Sequence, residues 1–117
     1  MVMKSVRVIL SKNAKEVFEY LNKESSSSKI EKSILNAIKQ KTELIKNNFA
    51  YGDPISKKLI PKRIIEEYHA TNLYRVELPN FWRMLYIVQE GENKIEIIAF
   101  VLEICDHKKY NKLFGYK

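Results

Sequence analysis

Three apolar-rich runs in the second half of the chain are separated by only a few residues each, and this spacing constrains the fold more than any other feature. Leu73–Leu78 leads into a turn at Pro79-Asn80, Phe81–Gln89 into a turn at Gly91-Glu92-Asn93, and Lys94–Ile104 comes last. Valine, isoleucine, tyrosine and phenylalanine suit the pleated strand, whereas Pro, Asn and Gly suit turns. Such short links cannot hold the crossover that parallel neighbours need, so the three runs are expected to pair as consecutive antiparallel strands. In the last run Ile95, Ile97, Ala99, Val101 and Leu102 leave few polar positions, which predicts a central strand covered on both faces.

The first half reads differently. Val6-Arg7-Val8-Ile9-Leu10 predicts a short strand with Val6, Val8 and Leu10 on one face. Ser11 or Asn13 can cap a helix whose buried stripe is Ala14, Val17, Phe18 and Leu21. Serine side chains compete for backbone hydrogen bonds, so Ser25-Ser26-Ser27-Ser28 interrupts the pattern. Ser28 with Glu31 then forms a capping-box signature, and Ile30, Ile34, Ala37, Ile38, Leu44 and Ile45 carry the longest helix to about Asn47. Two helices joined by so short a polar turn form an antiparallel hairpin. Gly52-Asp53-Pro54 predicts a loop, Pro61 to about Tyr68 a short helix, and Asp106–Phe114 a short helix or turn. The expected architecture is a single α+β domain: an N-terminal strand and helical hairpin packed on an antiparallel sheet of about four strands, the first strand at one edge.

Charge narrows the choice of partner. The 21 Lys and Arg exceed the 14 Asp and Glu, for a net charge of +7, and residues 1–60 hold 12 basic against 6 acidic side chains. A field of this sign attracts polyanions, whether nucleic acid, ribosome, membrane surface or acidic protein. The single cysteine, Cys105, has no partner for a disulfide or a zinc motif and reads as a buried strand-end residue. No apolar run reaches the roughly 18 residues of a membrane span, and no signal-peptide pattern opens the chain. These features suit a reducing, cytoplasmic setting with no metal and no cofactor, and with no membrane partner.

The paired runs Leu73-Tyr74-Arg75-Val76-Glu77-Leu78 and Phe81-Trp82-Arg83-Met84-Leu85-Tyr86-Ile87-Val88, the upstream Lys57-Lys58-Leu59 and the downstream Asp106-His107-Lys108-Lys109-Tyr110 occur in that order. In this order they resemble the RelE/ParE toxin superfamily, with its "YRI" and "YRVIYxI" strands, its "KxL" loop and its "GHRxxxY" ending. Two features depart from the pattern: the extra helical segment at Pro61–Tyr68, and lysines where arginines commonly follow the histidine. A lysine keeps the charge of an arginine but loses its bidentate fork.

The resemblance implies a toxin of a type II toxin–antitoxin pair. Its ribosome-dependent branch cleaves messenger RNA without metal, using the ribose 2′-hydroxyl as nucleophile. A base, a phosphate-stabilising cation and an acid for the leaving 5′-oxygen are then required. By the resemblance, Arg83 stabilises the phosphate, Lys57 or Lys58 holds it or acts as base, His107 moves a proton, and Tyr110 stacks on a base or covers the sheet edge. Arg75, Lys108, Lys109 and Lys112 add RNA-binding charge. The implied partners are a cognate antitoxin, messenger RNA and the ribosome, and a second copy docked through the helices. A non-enzymatic binder, either a gyrase-inhibiting ParE-like toxin or an inactive relative, is the alternative, because fold alone does not assign chemistry.

Overall fold

The computed structural model describes residues 5–91 and 96–115. Its elements run β1 (Ser5–Leu10), α1 (Lys12–Glu24), α2 (Lys29–Asn47), β2 (Asp53–Pro54), α3 (Lys62–Tyr68), β3 (Tyr74–Leu78), β4 (Trp82–Glu90), β5 (Glu96–Cys105) and α4 (His107–Phe114). The strands form one sheet in the order β1-β5-β4-β3-β2. The α+β class is the expected one, and β1 lies at an edge beside a central β5.

Three details differ from the expectation. The sheet is mixed, because β1 runs parallel to β5 in the register Ser5↔Glu96 to Leu10↔Val101, while the other pairs are antiparallel. It has a fifth strand, because Asp53-Pro54 pairs with Tyr74 and Arg75 where a loop was expected. Proline is tolerated there because an edge strand leaves its nitrogen without a ladder partner to serve. Finally, Phe81 belongs to a 3₁₀ turn over Pro79–Phe81, and β4 begins at Trp82. The expected start of the last strand at Lys94, with Ile95 and the turn at Glu92-Asn93, lies outside the described residues.

Alternation along the strands divides the apolar side chains between two faces. On the first face, Val76, Leu78, Met84, Tyr86, Ala99 and Val101 pack against the hairpin of α1 and α2 through Ala14, Leu21, Ile34, Ile38 and Ile45. Val6, Val8 and Leu10 border the same cluster. On the second face, Leu73, Leu85, Ile87, Leu102 and Cys105 pack against Ile60, Ile64 of α3 and Tyr110 of α4. Ile30 departs from the predicted helical stripe and is exposed, one turn before the buried Ile34.

The caps explain where the helices start. Ser11 Oγ accepts a hydrogen bond from the Ala14 amide at 3.0 Å and donates one to the Leu102 carbonyl at 2.8 Å, so it caps α1 and ties it to β5. Ser28 binds the Glu31 carboxylate side chain to side chain, without the amide contact of a full capping box. Asp106 Oδ1 accepts from the Lys109 amide at 2.9 Å, and Gly115, at φ 73°, closes α4 in the left-handed conformation that glycine adopts without strain. Among the described residues, no helix is long and apolar enough to cross a membrane.

Candidate functional site

Because Val76, Leu78 and Met84 face the helical hairpin, Arg75, Glu77 and Arg83 stand on the second face of the sheet. The β3–β4 register sets Glu77 directly opposite Arg83. The Glu77 carboxylate lies 3.4 Å from Arg75 Nε and 3.2 Å from Arg83 Nε, so one acid bridges two guanidinium groups. Asp53 of β2 approaches Arg75 from the other side at 3.9 Å.

Tyr110 supports both arginines. The Arg83 guanidinium lies over its ring, 5.5 Å from the centroid, in a cation–π contact. Arg75 Nη1 donates a long hydrogen bond of 3.4 Å to its hydroxyl, which, as the leading cause, raises the pKa of this guanidinium above its ordinary value. The ring is only 5% exposed and packs against Phe114 at 4.6 Å. Of the two roles weighed for Tyr110, covering the sheet therefore fits and stacking on a nucleobase does not. A small pocket of about 170 Å³ opens beside it, lined by Asp53, Ser56, Leu59, Arg75, Tyr110 and Phe114.

His107 and Tyr110 are three residues apart on α4 and so share one side of the helix. The exposed His107 ring meets Phe81 edge-on at 6.0 Å. Asn80 and Phe81 both have positive φ, at 60° and 63°, a conformation that costs a bulky residue strain. This bend sets Phe81 against the start of α4.

The remaining candidates lie apart from this cluster. Lys57 and Lys58 are exposed on the 3₁₀ turn Lys57–Leu59, whose neighbours Ser56 and Leu59, rather than the lysines, line the pocket at Arg75. Lys108, Lys109 and Lys112 line a separate basic cleft of about 660 Å³ with Arg63, Asp106 and Leu113. Arg83 and Arg75 thus each contact Tyr110, and His107 shares its side of α4.

Two features escaped the sequence reading. Glu77, which the sequence does not single out, joins the two arginines. Glu103 is only 4% exposed, 3.0 Å from Arg63 and 3.3 Å from Lys109, with Asn13 as a third partner. A bulge between Leu85 and Tyr86 of β4 and the opposing stretch of β5 breaks the alternation and admits Glu103 to the face of α3 and α4. Lys109 is therefore engaged in an ion pair with the buried Glu103.

No family model matches the chain, and no curated protein or solved structure matches it significantly. The site is therefore read from its own geometry. Among the described residues, no three His, Cys, Asp or Glu side chains are grouped to hold a metal ion. Cys105 is 3% exposed, and burial pushes its thiol pKa up to about 12. Only the thiolate is a nucleophile, so Cys105 is expected to resist iodoacetamide at pH 8 in the folded protein and to alkylate once urea unfolds it. Rapid labelling of native protein, followed by intact mass, would contradict this burial.

Proposed function

We propose that this chain is a toxin of a type II toxin–antitoxin pair, of the RelE/ParE kind, that cleaves messenger RNA in the ribosome by attack of the 2′-hydroxyl on its own 3′-phosphate. The observation that carries the reading is the contact of Arg83 and Arg75 with one tyrosine, with a histidine on the same side of the following helix.

In this mechanism a base removes the 2′-hydroxyl proton, the oxygen attacks phosphorus, and the bond to the 5′-oxygen breaks. The products are a 2′,3′-cyclic phosphate and a free 5′-hydroxyl. Negative charge grows on the non-bridging oxygens, and the planar guanidinium forks of Arg83 and Arg75 suit that charge. Tyr110 holds the forks in place rather than touching RNA. His107, exposed at the start of α4, protonates the leaving oxygen. Lys57 and Lys58 on one flank, and Lys108 and Lys112 on the other, draw the RNA backbone towards the arginines.

An antitoxin segment has a place to dock in this scheme. The outer edge of β1 lies beside a groove of about 280 Å³ lined by the apolar Val8, Leu10, Phe18 and Ile38 and by Lys39, Thr42 and Glu43, an arrangement suited to an added strand or an amphipathic helix. The non-enzymatic alternative draws on one observation: Lys57 and Lys58 are not among the residues that line the pocket beside Arg75.

The deciding experiment incubates purified protein with programmed ribosomes and maps the new RNA ends. Cuts ending in cyclic phosphate are expected. Intact message in the presence of folded protein would remove the nuclease reading in favour of the binder.

A further inference from the structure

We infer that Glu77 is an internal stand-in for the RNA phosphate, a carboxylate that occupies the Arg75–Arg83 pair in the free protein and must yield it when an oxyanion binds. This rests on the reading of that pair as a phosphate site.

The geometry carries the argument in three steps. First, Glu77 presents one oxygen to each guanidinium, Oε1 to Arg75 and Oε2 to Arg83. A phosphate lying between the two arginines would offer two oxygens in the same way. Second, the fit is poor. Although the Nε atoms lie within 3.4 Å of the carboxylate, both are buried and neither makes a hydrogen bond among the described residues. An unmade hydrogen bond at a buried charged donor is costly, so these two donors favour an acceptor that is better placed. Third, the Glu77 side chain is 56% exposed, compared with 19% for Arg83 and 37% for Arg75. The carboxylate is free to swing into water, whereas the arginines are held by Tyr110.

Charge gives the same answer. Arg75 and Arg83 are set against Glu77 and Asp53, so the formal charge of the cluster cancels in the free protein. Displacing Glu77 restores a positive centre only where and when a phosphate arrives. Glu77 thus mutes the charge of the arginine forks, which Tyr110 holds in place, until substrate binds. Anions too weak to displace it are excluded.

The test measures binding, so that its failure can be told apart from failure of the nuclease reading. A fluorescent single-stranded DNA oligonucleotide, which lacks the 2′-hydroxyl and cannot be cleaved by this route, is titrated against wild type, Glu77→Gln and Glu43→Gln. Glu43 lies on α2, is exposed and pairs with Lys46, so its substitution changes net charge equally at a distance from the site. Removing a like charge about 4 Å from a bound phosphate is expected to tighten binding about fivefold in Glu77→Gln. The slope of log affinity against log salt should steepen by about one. Glu43→Gln is expected to leave both close to wild type. The same gain in the two variants would mean that net charge alone is responsible, and weaker binding by Glu77→Gln would mean that the carboxylate builds the site rather than occupying it. Either result overturns the inference, whether or not the wild type cleaves RNA.

Discussion

Arg83→Ala is expected to lower the rate of messenger RNA cleavage on the ribosome by at least about a hundredfold, the usual loss when one donor to a developing oxyanion is removed. Arg83→Lys is expected to recover little of it. Lysine retains the positive charge, but it has neither the planar fork for two phosphate oxygens nor the flat face that lies over Tyr110. Single-turnover cleavage separates this loss from weaker binding, because an interaction made only in the transition state lowers the maximal rate rather than the apparent affinity. The Arg83 side chain is mostly covered, so thermal unfolding of each variant must accompany the kinetics. A folded Arg83→Ala protein that still cleaves at close to the wild-type rate would take the phosphate away from β4. Tyr110→Phe is the informative companion: it keeps the ring under Arg83 and loses the hydroxyl that accepts the long hydrogen bond from Arg75.

The parts of this molecule that depend on local pattern were legible in the sequence, and the parts that depend on register were not. Ala14 and Leu21, seven residues apart on one helical face, are both fully buried as their spacing predicts. The short links around β4 likewise forced the antiparallel order of β3, β4 and β5. By contrast, Asp53-Pro54 becomes a strand only because Arg75 and Tyr74 come to lie beside it. Nothing in a Gly-Asp-Pro turn signal announces that pairing. Glu103 looks like one more solvent carboxylate until the bulge in β5 carries it between Arg63 and Lys109.

The site divides along the same line. Arg83, Arg75 and Tyr110 were named through resemblance, and their contact depends on α4 folding back on the second face of the sheet. Glu77 could have been found earlier. Once the Pro79-Asn80 turn is placed between paired strands, a residue shortly before it and one shortly after it must sit across from each other, and these are Glu77 and Arg83. The lysines at 57 and 58 carried no such geometric consequence, since a solvated turn puts few constraints on its side chains.

Tyr86→Ala is expected to destabilise the protein by about 3–5 kcal/mol, the range for truncating a buried aromatic, and Tyr86→Phe by about 1–3 kcal/mol for two backbone groups left without a partner. Tyr86 is fully buried and stacks on Tyr74 at 5.1 Å. Its hydroxyl donates to the Phe49 carbonyl at 2.8 Å and accepts from the Gly52 amide at 2.9 Å. Gly52 suits this close approach, because a β-carbon there would sit tightly against the Tyr86 ring at 3.0 Å and the Arg75 carbonyl at 3.1 Å. One phenol thus ties the end of the helical hairpin to β2, which brings Asp53 to Arg75. Burial also pushes the Tyr86 pKa up to about 12, against 10.0 for a free tyrosine. The folded protein then retains a proton that the unfolded chain releases, so stability is full below about pH 10 and falls as the pH rises towards 12. Cys105, raised from 9.0 to about 12, acts in the same direction from about pH 9. In urea titrations between pH 9 and 12, Tyr86→Phe should start less stable and lose stability less steeply than wild type above pH 10. Parallel curves for the two proteins would show that the phenol ionises as readily in the folded state as in the unfolded chain, and coincident curves that the 49–52 loop is not held by it.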